Sequence, residues 1–150
     1  MAEHHNQVQG EKMEKQFLNS TTVEESLWEK LSEKAWHCQE HSIVLGTTKV
    51  GAAALSSQKE IFGGCNVEHK FRSHDIHAEV SAISSLVSAG ATELVAILVV
   101  AGRENFTPCG GCMDWIYELG GPNCIVSFQN KKGGSIKKYL AKELMPYYPR

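Results

Sequence analysis

The run "ELVAILVVAG", residues 93–102, restricts the fold more than any other stretch: from Leu94 to Ala101 it contains no polar residue and no alternation. A strand with one wet face reads as alternating apolar and polar residues, whereas one covered on both faces reads as a continuous apolar run. A central, doubly covered strand is therefore expected. Helical patterns stand on either side of it. Before it, Val80, Ile83, Leu86 and Val87 recur at helical spacing and the pattern stops at Gly90; after it, "CGGCMDWIYELGG" sets Trp115, Ile116 and Leu119 on one face. "CIVSF" supplies a further strand, so the order of elements is that of a layered α/β domain.

Upstream, "KVGAAALSS" and "EIFGGCNVE" are short apolar runs joined by Gln58 and Lys59, the pattern of an antiparallel hairpin. In "TTVEESLWEKLSEKAWHC", Thr21 and Thr22 each have a Glu three positions on, and Leu27, Trp28, Leu31 and Ala35 recur at helical spacing, so a capped amphipathic helix is expected. Downstream, "QNKKGGS" is too short for a crossover helix, and a strand over residues 135–138 must run antiparallel to its predecessor. The result is a mixed sheet of about five strands. Residues 1–20 are polar and aperiodic and read as a flexible tail, in which His4 and His5 are tail residues; residues 21–150 form one domain.

A formal net charge of -2 gives no global attraction for phosphate backbones or anionic membranes, which argues against a nucleic-acid partner. No apolar run approaches the roughly 20 residues of a membrane helix, and the N-terminus lacks a signal-peptide core, so a soluble cytoplasmic protein is expected. The five cysteines are an odd number with one close pair, the pattern of thiols or metal ligands rather than disulfides.

"PCGGC", residues 108–112, sets that pair three apart where a loop enters a helix. Helix-terminal N–H groups favour thiolates there, and one turn brings both sulfurs toward one ion. Redox pairs use the same spacing, so the motif needs partners before it reads as a metal site. His77 can supply a nitrogen ligand, leaving the fourth position of a tetrahedral zinc open to water, as in a catalytic rather than a closed structural site. Glu79, two residues on, is placed to take a proton from that water and hand it to a leaving group. Read singly, His77 is a loop histidine and Glu79 a helix-start carboxylate favoured by the dipole; the combination carries the chemistry.

The order H-x-E, helix, buried strand, then P-C-x-x-C at a second helix start resembles the zinc-dependent nucleobase deaminases. Over most of the chain after residue 20 the likeness is to the cytidine deaminase family, through "VGAAALSSQKEIFGGCNVE" and the closing "KELMP". The resemblance implies a three-layer α/β/α fold with zinc held by His77, Cys109 and Cys112 and with Glu79 as proton carrier. It implies hydrolytic deamination of cytidine or deoxycytidine to the uracil nucleoside and ammonia. Asn66 and Glu68 stand before the first ligand at the family's spacing and by resemblance bind the sugar, with Ala78 also in the substrate pocket. Read alone, Asn66 closes a strand and Glu68 is solvated. By the same likeness the protein is a homotetramer (or homodimer), and Tyr148, at a shifted distance from Pro146, packs on the base in a neighbouring subunit.

The chain also departs from that pattern. It has His77-Ala78-Glu79-Val80 where tetrameric cytidine deaminases have Cys-Ala-Glu-Arg. Three thiolates leave zinc with a net negative charge that the family's arginine offsets, whereas one imidazole and two thiolates give a neutral centre compatible with Val80. "HAEVSAI" is closer to nucleic-acid adenosine deaminases, but the glycine after Cys109, the pair Asn66 and Glu68, and the balanced charge oppose polynucleotide editing. Thr48 stands where the family has an aromatic residue, and "CMDW" where it has "CRQ". Blasticidin-type deaminases share "ALSS" and the "IF" strand, so a modified cytosine nucleoside or aminonucleoside antibiotic is the alternative substrate. A non-catalytic zinc scaffold is the alternative class. Phe71, His74 and Phe106 either line the pocket or pack in loops, and Cys65 and Cys124 are expected to be buried thiols.

Overall fold

Residues 23–149 are described in a computed structural model. The expected tail, with His4 and His5, and the expected cap residues Thr21 and Thr22 lie outside the described residues. Helix α1 (Glu25–Gln39) turns Trp28, Leu31, Ala35 and Trp36 inward. Its N-cap is Glu24, which makes no side-chain cap. Strands β1 (Val50–Ser56) and β2 (Ile61–Cys65) form the expected antiparallel hairpin. The turn closes because Ser56 Oγ accepts from the Gln58 and Glu60 N–H groups while Lys59 takes a left-handed φ of 63°. Helix α2 (Ala78–Ser88), strand β3 (Leu94–Ala101), helix α3 (Gly110–Gly120) and strand β4 (Ile125–Gln129) follow in order. The chain then adds strand β5 (Lys137–Leu140) and the short helix α4 (Ala141–Leu144).

The five strands lie in the order β2-β1-β3-β4-β5. Only β3 and β4 pair in parallel; β5 runs antiparallel to β4, as the short connection requires, and begins two residues later than the expected span. Helix α1 covers one face of the sheet, burying its apolar residues against Ala53, Leu55, Leu98 and Val100. Helices α2 and α3 cover the other, against Ala52, Ala54, Ile97, Val99 and Val126. This is the expected three-layer arrangement. Residues 96–101 alternate between the two layers, which is why the run carries no polar residue.

The hairpin is poor in side-chain volume for a reason. A Cβ on Gly51 would meet the Ala35 carbonyl of α1, and one on Gly64 the Ala78 carbonyl and Ala82 N–H of α2. The missing side chains let helices from both layers sit directly on the hairpin backbone. Two expected helix faces are corrected. Val87 is 50% and Trp115 52% exposed, and Leu119 is only half-buried. The inward face of α2 is Ala78, Glu79, Ala82, Ile83 and Leu86, and that of α3 is Cys112, Met113, Ile116, Tyr117 and Gly120. Both faces are set by which residue of the first turn points to the sheet, and in both helices that turn carries polar or sulfur chemistry rather than large apolar groups.

Candidate active site

Strand β1 lies antiparallel to both β2 and β3, so β2 and β3 point the same way and end at the same edge of the sheet. The chain leaving each of them enters a helix there. His77 is the N-cap of α2 and Cys109 the N-cap of α3, both in extended backbone, and Cys112 is one turn further into α3. Residues 66–76, which deliver His77, are fixed by reciprocal backbone bonds of 2.9 Å between Val67 and Ile76. Arg72 braces this loop by pairing with Asp75 at 2.8 Å and with Glu68 at 3.4 Å.

His77 Nδ1 lies 3.3 Å from Cys112 Sγ and 3.4 Å from Cys109 Sγ, and all three donor atoms fall within 4.8 Å of one another. Zinc bonds of about 2.3 Å to sulfur and 2.0–2.1 Å to nitrogen set tetrahedral N–S edges of about 3.5 Å. The donor set and its spacing therefore fit one zinc ion. Glu79 is 3% exposed, and its carboxyl contacts the Cys112 sulfur. Burial pushes that carboxyl above the ordinary carboxylate range, against smaller lowering by its own backbone N–H, His77 and Cys112. Burial, then the charges of Glu79 and Cys109, push the Cys112 thiol up as well. A divalent cation among them is the charge that would relieve this crowding of acids.

A cavity of about 260 Å³ opens beside these groups. His77, Ala78, Glu79 and Cys109 line it together with Asn66, Glu68, Thr48, Arg103 and Phe106. Both ends of the Asn66 amide are engaged: Oδ1 accepts from the Val50 N–H at 2.9 Å and Nδ2 donates to the Thr48 carbonyl at 3.0 Å. Each end retains capacity for a second bond. Glu68 is not solvated as its isolated reading had it, for its side chain is 13% exposed. Its Oε2 accepts from the Leu45 and Gly46 N–H groups at 3.0 and 3.2 Å, and among the described residues Oε1 has no donor. Asn66→Ala is expected to cost about 1–3 kcal/mol in a urea melt, because it strips partners from two backbone groups at the start of β1. A midpoint unchanged from wild type would show that the amide does not hold that strand.

Phe106 lines the cavity, whereas Phe71 and His74 do not: they pack with His69 on the exposed loop, with ring centroids 5.1–6.0 Å apart. Tyr148 stacks on Tyr117 at 4.1 Å and donates to Asp114 at 2.7 Å, outside the cavity of its own chain. Cys124 is buried as expected; Cys65 is only half-buried. Arg103 and Thr107 are lining residues that the sequence did not single out. The stretch "GRENFTP" reads simply as loop, and the one available signal was a basic residue just past the central strand.

A sheet with helices on both faces, carrying an imidazole and two thiols at one edge with a buried carboxylate against them, defines a zinc-binding α/β domain of the deaminase type. The family model described as "Cytidine and deoxycytidylate deaminase zinc-binding region" matches residues 24–128, and the chain belongs to that family. A cytidine deaminase of Sporosarcina psychrophila is 36% identical over 98 residues, which cover 65% of this chain and 71% of that protein. A cytidine deaminase of Shewanella frigidimarina is 36% identical over 94 residues, 61% of this chain but only 30% of the length of that protein. Among solved structures, cytidine deaminase from Burkholderia pseudomallei superposes with a TM-score of 0.73 at 32% identity, covering 79% of this chain and 95% of that one. The enzyme from Mycobacterium leprae gives 0.66 at 30% identity over 79% and 97%. Among the described residues no helix is long and apolar enough to cross a membrane.

Proposed function

We propose that the chain is a zinc-dependent cytidine deaminase, with His77, Cys109 and Cys112 as the zinc ligands and Glu79 as the proton carrier. One observation carries this reading: a carboxylate shut away from solvent is held against a cluster of three potential metal donors beside a cavity that His77, Glu79 and Cys109 help to line. Zinc, when bound, lowers the pKa of water and so supplies a nucleophile at neutral pH. Glu79 takes a proton from the attacking water as the oxygen bonds to C4 of the base, and delivers it to N3. It then moves the remaining proton of the new C4 hydroxyl to the exocyclic nitrogen. The C4–N4 bond breaks, ammonia leaves and the uracil carbonyl remains. With Glu79 only 3% exposed, these protons pass between substrate atoms rather than to bulk water.

Asn66, Glu68 and Ala78 form the rest of the substrate site in this reading. The unengaged Glu68 Oε1 and the spare valences of Asn66 are the acceptors and donors that sugar hydroxyls need. A homotetramer or homodimer belongs to the same proposal, supported by Ile43, Leu45, Phe71 and Ile76, large apolar side chains 48–61% exposed on the segments around the site. Tyr148, on the C-terminal segment, is the aromatic group a neighbouring site would receive. Free cysteines throughout the described chain support a cytoplasmic location. Zinc-replete protein is expected to convert cytidine to equimolar uridine and ammonia, followed as loss of the cytidine absorbance band. Protein with stoichiometric zinc that leaves both cytidine and deoxycytidine untouched would overturn the reading.

A further inference from the structure

Resting on the deaminase reading above and on Glu68 as its sugar ligand, we infer that Arg72 is a positioning residue for sugar recognition: it holds Glu68 by one carboxylate oxygen and so keeps the other free for the substrate hydroxyls. The two oxygens of Glu68 are used unequally. Oε2 accepts from the Leu45 and Gly46 N–H groups at 3.0 and 3.2 Å and pairs with Arg72 Nη2 at 3.4 Å. Three donors saturate the two lone pairs of one oxygen, so Oε2 has nothing left for a ligand. Oε1, without a donor among the described residues, is the acceptor that this side chain brings to the cavity it lines.

Arg72 is itself aimed. It opens a 3₁₀ turn (Arg72–His74), and the Asp75 N–H that closes the turn bonds to the Arg72 carbonyl at 3.1 Å. That turn brings Asp75 Oδ2 to Arg72 Nε at 2.8 Å, while Asp75 Oδ1 accepts from the His69 N–H at 2.7 Å. The planar guanidinium thus meets two carboxylates through two different nitrogens, a geometry that a lysine ammonium does not reproduce. Burial sets these pairs apart. Among the described residues, the other acids in ion pairs are Glu24 and Glu40, with side chains 63% and 55% exposed, whereas those of Glu68 and Asp75 are 13% and 15% exposed. A carboxylate withdrawn from water keeps more of its attraction to a cation than an exposed one does. Of these four acids only Glu68 lines the cavity. Without Arg72, only the Leu45 and Gly46 N–H groups hold its carboxylate, and the cost of ordering it falls on substrate binding.

The test compares the zinc-loaded full chain with its R72A, R72Q and R72K variants on cytidine and on 2′,3′-dideoxycytidine, which lacks both ring hydroxyls. Because the Arg72 side chain is 61% exposed, the expected effect is modest. R72A should raise KM for cytidine about three- to fivefold with little change in kcat, while kcat/KM for dideoxycytidine stays within about twofold of wild type. R72Q should behave like R72A, and R72K should recover only part of the loss. Melting temperature and zinc content are measured for each, and R72Q carries the comparison should R72A not fold. Calorimetry of uridine against 2′,3′-dideoxyuridine reads the same preference without turnover. Cytidine deamination in which R72A and R72Q leave the cytidine-to-dideoxycytidine ratio unchanged would overturn the role of Arg72 and leave the deaminase reading standing. A chain that deaminates neither compound, yet binds uridine better than dideoxyuridine only while Arg72 is present, would support the role and sink the deaminase reading.

Discussion

Glu79→Gln will lower kcat for cytidine by about 10²–10⁴-fold while the protein keeps its zinc and its melting temperature. The reasoning rests on what this residue does not do structurally. Glu79 ion-pairs with no basic residue among the described ones, bonds at the start of α2 only to its own backbone N–H and to Cys112, and sits buried with Ala78 and Ala82. An amide of the same shape fills the same space, so packing is preserved, and the two thiols and the imidazole that would hold the metal are untouched. What the amide lacks is the ability to accept a proton and return it. The loss should therefore fall on kcat, with KM little changed, because a proton in flight is a transition-state interaction. Metal analysis and a thermal melt alongside the kinetics separate this from trivial unfolding. Turnover within tenfold of wild type in a zinc-loaded Gln variant would remove Glu79 from the reaction.

Cys112→Ser is expected to abolish detectable turnover for a different reason, loss of the metal itself. Cys112 is 1% exposed and contributes the donor that both His77 and Glu79 touch. A serine hydroxyl is a poor zinc ligand at neutral pH, and the remaining imidazole and Cys109 thiol do not make a tetrahedral set. Zinc present at about a thousand times its dissociation constant stabilises a fold by about 4 kcal/mol. For a domain of this size, that converts to a fall in melting temperature of roughly 10 °C. Chelation of the wild-type protein should reproduce both the lost turnover and the lower melt, and added zinc should reverse them in wild type but not in the variant. A variant that holds stoichiometric zinc with unchanged melting would exclude Cys112 from the ligand set.

The backbone plan and the convergence of His77, Cys109 and Cys112 were legible in the sequence because both are written in spacing. Leu94 to Ala101 announced a two-sided strand by lacking polar residues, and Cys109 and Cys112 announced a helix start by lying one turn apart. Side-chain facing was less legible. Trp115 is the largest apolar residue of α3 and was expected inside, yet the helix is rotated by the demand that Cys112 and Met113 face inward, which turns Trp115 to the surface. Composition alone ranks a tryptophan above a cysteine, so the pattern misleads wherever a site dictates rotation. Arg103 lay beyond reach for another reason: it joins Thr48 only because Val50 and Ala101 are paired across the sheet, and such register is invisible until the sheet is assembled. Asn66 was legible as a strand-closing residue and as a candidate sugar ligand, but its simultaneous grip on Val50 and Thr48 required coordinates.

The two halves of the donor cluster hang from different strands, His77 after β2 and the cysteines after β3, with β1 hydrogen-bonded between them. Sliding either ladder by one residue would displace one half by about 3.4 Å. That displacement equals the whole separation of His77 Nδ1 from Cys109 Sγ. A sheet misaligned by one residue would therefore not bring the three donors together as they stand here. A metal ion held by all three would, for that reason, favour chains whose strands are in this register, and so act as a check on strand alignment.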